Sequence, residues 1–344
     1  MSSNGRTADS GSVRRGSNPL IPANLIAATS VAAIFVFVCN LCLQCHKNEQ
    51  GVQSMHYADY KSILSPKLGM NLYRGCTHGC IYCDSRSRCY GMQHDFEDIE
   101  VKANAMAILE TELKTRKRKG MIGSGAMSDP YLPLETDLQY TRQSLELIYK
   151  YGYGVALHTK SATILRDLDL LIKINRQSRV VVQTTLTTFD EELCRILEPN
   201  VSPTAQRLEM LNIMRDNEIS TVVWLCPILP WINDNSENIQ NLVLACSEAG
   251  VWGILCFGMG LTLREGNREY FYRMLDLHFP GLKKDYIRSY GNSYNVPSPK
   301  SEVLMREFHS LCQAKGICSD VPRIFAFMKH FAEHESQQYD LFDP

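Results

Sequence analysis

Three cysteines within eight residues constrain this chain more than anything else in it. The stretch NLYRGCTHGCIYCDSRS, Asn71 to Ser87, sets Cys76, Cys80 and Cys83 in a C-x3-C-x2-C spacing, with Tyr82 just before the last. Thiolate sulfur is a soft, anionic donor, and three of them can hold three irons of a four-iron cluster. No fourth cysteine stands nearby at cluster spacing, so the fourth iron keeps an open position able to take a small molecule. Zinc is the rival for such a set. It needs a fourth ligand such as His78 or Cys89, and zinc motifs seldom use this spacing. Gly75 and Gly79 let the backbone wrap closely round a cluster, where N–H groups near the sulfurs tune its potential.

The rest of the composition sets limits. Of 344 residues, 44% are hydrophobic and 21% charged, which suits one large globular domain or two small ones. Lys and Arg number 36 against 37 Asp and Glu, a net charge of -1, so nucleic acid finds no global electrostatic attraction here. The 13 cysteines are odd in number and scattered. With an oxygen-sensitive cluster they point to reduced core thiols in a reducing, cytoplasmic compartment.

In chain order, residues 1–23 are rich in Ser, Gly, Asn and Arg and read as a disordered tail. Residues 24–45 hold an uncharged apolar run, Leu25 to Leu43, near the ~20 residues that cross a bilayer. It is expected to be either a membrane anchor or an extension ahead of Met55. Cys39, Cys42 and Cys45 lie in or beside it and are not expected to be ligands. From Met55 short apolar runs alternate with amphipathic stretches. Strands are expected at Met70–Tyr73, Met121–Ile122, Gly154–His158, Arg179–Leu186, Thr221–Leu225 and Val251–Phe257. Helices are expected over Val101–Lys117, Gln139–Tyr149 and Ile164–Ile174, with two more opened by Ser202-Pro203 and by Asn235. Strands recurring every ~25–50 residues with helices between them argue for a parallel sheet.

The pattern YRGCTHGCIYCDSRSRCY, followed by SDPYLPLE (Ser128 to Glu135) and TKS (Thr159 to Ser161), resembles radical S-adenosylmethionine (radical SAM) enzymes, in the branch related to spore photoproduct lyase. The resemblance runs from about Met55 to the C-terminus. It implies an α/β fold, a partial (β/α)6 TIM-type barrel over 55–265, with a C-terminal helical extension over 266–344 covering the open side. It also implies a [4Fe-4S] cluster on Cys76, Cys80 and Cys83, bound S-adenosylmethionine, and an electron donor such as flavodoxin or ferredoxin. A monomer is expected.

In such a barrel the site lies at the C-terminal ends of the strands. By resemblance Tyr82 lies alongside the adenine, Ser128 and Asp129 bind the amino group, and Lys160 meets the carboxylate. Thr185, among Thr184, Thr187 and Thr188, is the residue expected to reach ribose. Arg207 is expected to pin a carboxylate, or else to pair with Glu198. Arg264, Glu265, Asn267 and Arg268, dense with charge behind the sixth strand, are candidate substrate contacts. The basic run KTRKRKG (Lys114 to Gly120) suits a helix C-terminus on the face away from the site. In the lyase, a cysteine after the second strand returns hydrogen to the product; GAMSDPYLPLE contains none. Cys89 and Cys226 are the candidate donors in its place, and efficient repair of spore photoproduct is not expected. The resemblance implies reductive cleavage of S-adenosylmethionine to a 5′-deoxyadenosyl radical that abstracts hydrogen from substrate, with DNA-lesion repair of the spore photoproduct lyase type as one use of it. The alternatives are modification of a small molecule, peptide or RNA, or a non-catalytic Fe–S redox or sensor protein.

Overall fold

The computed structural model describes residues 54–331, all within one compact unit spanning Gln50–Pro344. The expected tail over 1–23 and hydrophobic segment over 24–45 lie outside the described residues. No helix among the described residues is long and apolar enough to cross a membrane.

The described chain opens with β1 (Met55–Ala58), β2 (Gly69–Met70), β3 (Tyr73–Arg74) and β4 (Ile99–Lys102), then α1 (Ala105–Thr115). Strands and helices then alternate: β5 (Met121–Ser124), α2 (Glu135–Leu138), α3 (Tyr140–Lys150), β6 (Gly154–His158), α4 (Leu168–Gln177), β7 (Val180–Thr185), α5 (Glu191–Leu197), α6 (Thr204–Asp216), β8 (Ser220–Trp224), α7 (Ser236–Glu248) and β9 (Gly253–Leu255). Six strands pair in the order β2-β5-β6-β7-β8-β9, every pairing parallel. This is the expected partial barrel. β7 is buried at every position, as a Val-rich strand covered on both faces should be.

Register sorts the side chains. Ala156, Val181, Val222 and Leu255 share the inner face with His158, Gln183, Thr185 and Trp224 further along the strands. Ile122, Leu157, Val182 and Val223 face outward, where helices cover them.

After β9 come β10 (Gly260–Thr262), α8 (Asn267–His278), α9 (Leu282–Tyr290), β11 (Asn295–Pro297), α10 (Ser301–Lys315) and α11 (Val321–Lys329). β10 and β11 pair antiparallel, so the extension expected to be helical also contributes a strand to a two-stranded sheet. Phe271, Leu275 and Tyr286 from α8 and α9 pack on Cys80, Ile81 and Tyr82 and cover the cysteine loop. α11 takes the inner face: Ile324 and Met328 pack against Met121, Ala156, Val181, Val222 and Leu255. Just ahead of it, the Cys318 carbonyl accepts from Ile254 N at 2.9 Å, covering the β9 edge.

Two expectations are corrected. Val101 lies in β4, not in a helix. Ile99 and Val101 are fully buried at a period of two, pairing with β1 and β3, and the helix starts only after Asn104. Ser202 does not cap α6. Its Oγ accepts from Ala162 N at 2.8 Å, and the cap position falls to Pro203, which has no side-chain acceptor. Asn235 caps α7 as read, its Oδ1 accepting from Asn238 N at 2.9 Å.

Candidate active site

The cysteine loop leaves β3 and is fastened on both sides. Cys76 N donates to the Phe96 carbonyl at 2.9 Å, a close approach that only glycine permits at position 75. Gly75 has φ +88°, and a Cβ there would sit 2.6 Å from the Phe96 oxygen. On the other side Ile81 N donates to Leu197 O at 2.9 Å and Asn200 N to His78 O at 3.1 Å, tying the loop to the segment after β7. Cys80 is buried; Cys76 and Cys83 are partly open.

Cys76, His78 and Ser85 form one wall of a cleft whose other wall is Gly125–Asp129, His158 and Lys160, from the C-terminal ends of β5 and β6. The two strand exits nearly touch, since a Cβ on Gly125 would lie 1.8 Å from the His158 carbonyl. Asp129 clamps them together: it accepts from Tyr131 N (2.9 Å), Thr159 Oγ1 (2.6 Å) and Lys160 N (2.8 Å). His78 Nδ1 lies 3.3 Å from its second oxygen. Burial works against the charge of Asp129, but His78 and these donors hold its carboxyl well below the usual range. Burial likewise opposes a charge on His78, yet Asp129 and Cys76 lift it to about 10. The Cys76 thiol is lowered against its burial, chiefly by His78. Burial raises Cys80 and Cys83, with Lys160 acting in the opposite sense. Lys160 itself is raised despite burial by Cys80, Glu198, Cys83 and Asp129. Its ammonium makes no hydrogen bond or ion pair among the described residues.

The other expected site residues fall into two sets. Ser128 belongs to the cleft, its Oγ donating to the Gly75 carbonyl at 2.6 Å. Thr185 lies on the inner face, its hydroxyl 3.0 Å from His158 Nε2, and the His158 ring stacks on Trp224 at 5.1 Å. Tyr82 is packed beneath the loop, its hydroxyl donating to Glu198 Oε1. Cys226, partly buried near Cys256 and Lys160, has its thiol pushed up to about 12, chiefly by desolvation.

The second set is committed to the fold. Arg207 is fully buried and donates to Glu198 Oε2 (2.5 Å), the Thr185 carbonyl (2.6 Å) and Cys194 Sγ (3.1 Å). The pairing with Glu198 is therefore what the structure contains; a free carboxylate pin is not. Burial opposes its charge, but Glu198 and Cys194 raise Arg207. Asn267 Oδ1 accepts from Arg264 N and its Nδ2 donates to Thr262 O, shaping the turn into α8. Arg268 donates to the Leu263, Gly291, Asn292 and Ser293 carbonyls. Both serve the loops and are not presented to a ligand. Arg264 donates to Cys89 Sγ (3.2 Å) and Tyr294 Oη (2.9 Å) at the surface, and Glu265 pairs with Arg88. Cys89 is exposed.

Sequence reading gave little weight to His158 and Glu198. His158 ends β6 one residue before TKS, and the rule of strand C-termini could have marked it. Glu198 entered only as a possible partner of Arg207, because a glutamate after a short helix carries no motif.

The donor set fits a cluster better than a single ion. In a tetrahedral thiolate site with metal–sulfur bonds of ~2.3 Å, sulfurs sit about 3.8 Å apart. Among the described residues, no group drawn from the three cysteines brings its ligand atoms within 4.8 Å of one another. Three soft donors held wider than one ion requires, on glycine-bent backbone beside an unpartnered cation, suit an iron–sulfur cluster with an anionic ligand at its open corner.

The radical SAM superfamily model matches residues 70–243. An uncharacterized protein of Methanocaldococcus jannaschii is 32% identical over 264 residues, 73% of this chain and 90% of its own length. One of Mycobacterium tuberculosis is 29% identical over 257 residues, 73% of this chain and 75% of its own. Among solved structures, spore photoproduct lyase complexed with dinucleoside spore photoproduct aligns with a TM-score of 0.53 at 14% identity, over 76% of this chain and 79% of that one. A mutant of that lyase with bound AdoMet and dinucleoside spore photoproduct gives 0.54 at 13%, over 82% and 92%. At these identities the likeness is one of fold. With the cysteine loop, the parallel partial barrel and the superfamily match in agreement, the chain belongs to the radical SAM superfamily, whose enzymes work with a [4Fe-4S] cluster and S-adenosylmethionine.

Proposed function

We propose that the protein cleaves S-adenosylmethionine reductively at a cluster held by Cys76, Cys80 and Cys83, and abstracts hydrogen from an organic substrate. The observation that carries this reading is the cleft at the strand ends, lined by Cys76 and Lys160, whose ammonium has no hydrogen-bond partner among the described residues and lies near enough to Cys80 and Cys83 for its charge to act on both thiols. When bound, the cluster supplies the electron that splits the sulfonium and so yields a 5′-deoxyadenosyl radical. Lys160 Nζ binds the methionyl carboxylate. Ser128 and the carbonyls of the Gly125–Asp129 loop face the amino group, with Asp129 fixing the loop rather than touching the ligand. Thr185 and His158 form a polar pair toward the ribose. Arg207 acts one step back, holding Glu198 under Tyr82 and so setting the height of the loop that carries Cys80 and Cys83. The reductant is a small electron carrier such as flavodoxin or ferredoxin.

For the substrate, modification of a small molecule, peptide or RNA is favoured over DNA-lesion repair of the spore photoproduct lyase type. The loop after β5 carries no thiol, and its serine and aspartate are bound to Gly75, Thr159 and Lys160. Cys226, partly buried near Lys160, is the better placed hydrogen donor; Cys89 is exposed and bound by Arg264.

The test is anaerobic reconstitution with dithionite and S-adenosylmethionine, following 5′-deoxyadenosine. Wild type should form it, and Cys76→Ala should lose both the cluster absorbance and the product. An intact cluster that never yields 5′-deoxyadenosine would leave a redox or sensor protein as the answer. Formation of thymidylyl-thymidine from spore photoproduct would overturn the preference against DNA repair.

A further inference from the structure

The three-stranded sheet ahead of the barrel carries a second group of ligating side chains, outside the cysteine cleft. The register of β1 on β4 sets His56 opposite Glu100, and that of β3 sets Arg74 opposite the same residue, so the three share one face. Asp98 Oδ2 reaches His56 Nδ1 at 3.0 Å. His94 comes in from the loop before β4, its ring edge-on to that of His56 with centroids 4.7 Å apart. Ligand atoms of His56, His94 and Asp98 all lie within 4.8 Å of one another. Glu100 Oε2 is 3.6 Å from His56 Nε2 and 4.0 Å from His94 Nε2.

The surroundings of His94 define what it offers. Its Nδ1 lies 3.0 Å from the Asp95 carbonyl. A carbonyl can only accept, so Nδ1 carries a proton, and in the neutral ring the lone pair is then on Nε2. That nitrogen is buried and makes no hydrogen bond. The polar group facing it is a carboxylate, and two lone pairs held toward each other out of water are unfavourable unless a cation lies between them. An imidazole whose second nitrogen donates to a backbone carbonyl is also how metal-ligating histidines are usually oriented. The carboxylates are arranged in the same sense. Asp98 Oδ1 takes the Ser54 hydroxyl at 2.7 Å, and Glu100 Oε1 takes the Tyr60 hydroxyl with Arg74 Nε at 3.9 Å. The other oxygen of each faces the imidazoles.

We propose that His56, His94 and Asp98, with Glu100 as fourth donor, form a binding site for a divalent transition-metal ion of the zinc type. Two imidazole nitrogens and carboxylate oxygens are a donor set that zinc takes in tetrahedral geometry, and two carboxylates balance its charge. The ion fastens β1 to the loop before β4. That loop supplies the Phe96 carbonyl which receives Cys76 N, so the site braces the wall behind the cysteine loop without sharing a ligand with it.

The test uses the full chain with its iron–sulfur cluster reconstituted anaerobically, dialysed against a weak chelator, then titrated with zinc and with cobalt(II) as a visible probe. Wild type should bind one zinc per chain beyond the cluster iron. His94→Gln and His56→Gln should weaken zinc at least tenfold while iron content and cluster absorbance stay unchanged. The zinc should persist in the triple variant Cys76→Ala, Cys80→Ala, Cys83→Ala, which separates this site from metal caught by vacant thiols. Should the histidine variants misfold, Asp98→Asn keeps size and the Ser54 contact and decides the matter by the same affinity loss. Absence of zinc from wild type, or equal zinc in wild type and the variants, overturns the proposal and leaves a His56–Asp98 ion pair.

Discussion

Arg207 commits its guanidinium to Glu198, the Thr185 carbonyl and Cys194, whereas the Lys160 ammonium has thiol and carboxylate neighbours and no hydrogen bond among the described residues. A partly buried cation with no hydrogen-bond partner gains most from a ligand that supplies one. Lys160→Met should therefore weaken S-adenosylmethionine binding by about 10- to 100-fold, the worth of a charge-assisted hydrogen bond, with iron content unchanged; equilibrium dialysis of the reconstituted protein checks it. His158 makes the second prediction at this scale. Burial, with Lys160 beside it, depresses its pKa to about 4. The unfolded chain, at ~6.5, takes the proton first, so the stabilising contribution is present above pH 6.5 and is lost as pH falls toward 4. His158→Gln should flatten this acid limb, removing roughly 1–2 kcal/mol of the stability difference between pH 7 and pH 5 measured by urea denaturation. Equal slopes in both proteins would contradict it.

At the scale of elements, α11 joins what strand register had already sorted. Its Ile324 and Met328 fill the lower inner face, and Phe325 meets Trp224 edge-on at 6.1 Å, the ring on which His158 stacks. Ile324→Ala should cost about 2–5 kcal/mol, because a fully buried side chain is removed where five strands enclose it. A shift in the denaturation midpoint without change in slope reads this directly. The elements that sequence periodicity marked well, β6 and β7, are those covered on both faces, where apolar runs leave a clear signature. β4 was lost to a helix because Val101 and Ala105 also fit a spacing of four; only its partners β1 and β3, distant in sequence, decide for a strand. The cysteine ligands were legible because their spacing is itself the chemistry. The commitments of Asn267 and Arg268 were not, since each depends on carbonyls brought in by the fold; for Arg207 the Glu198 pairing was foreseen as one alternative, but not its contacts with the Thr185 carbonyl and Cys194.

Taken whole, the molecule carries almost no net charge, -1 from 36 basic and 37 acidic residues. The one dense basic run, Lys114 to Gly120, begins in the last turn of α1 and leads into β5, at the end of the barrel opposite the cleft, where Arg116 donates to the Leu64 and Ser65 carbonyls. Duplex DNA should therefore bind no more tightly than the ~10⁻⁴ to 10⁻⁶ M of non-specific association at physiological salt. Fluorescence anisotropy between 50 and 200 mM salt checks this; tight binding with a steep salt slope would reveal a phosphate track that the described residues do not display.

The position of α11 also bears on timing. Domains generally fold as units during synthesis, as the chain emerges. Here the six parallel strands are complete by Leu255, yet the helix that fills their concave face ends at Lys329. A nascent chain can thus assemble the sheet and expose its three cysteines well before the barrel has a floor. Iron delivered during that interval would meet a water-filled pocket, with no packed wall behind His158 and Trp224. The wall behind the cleft is accordingly complete only once α11 has packed against the sheet.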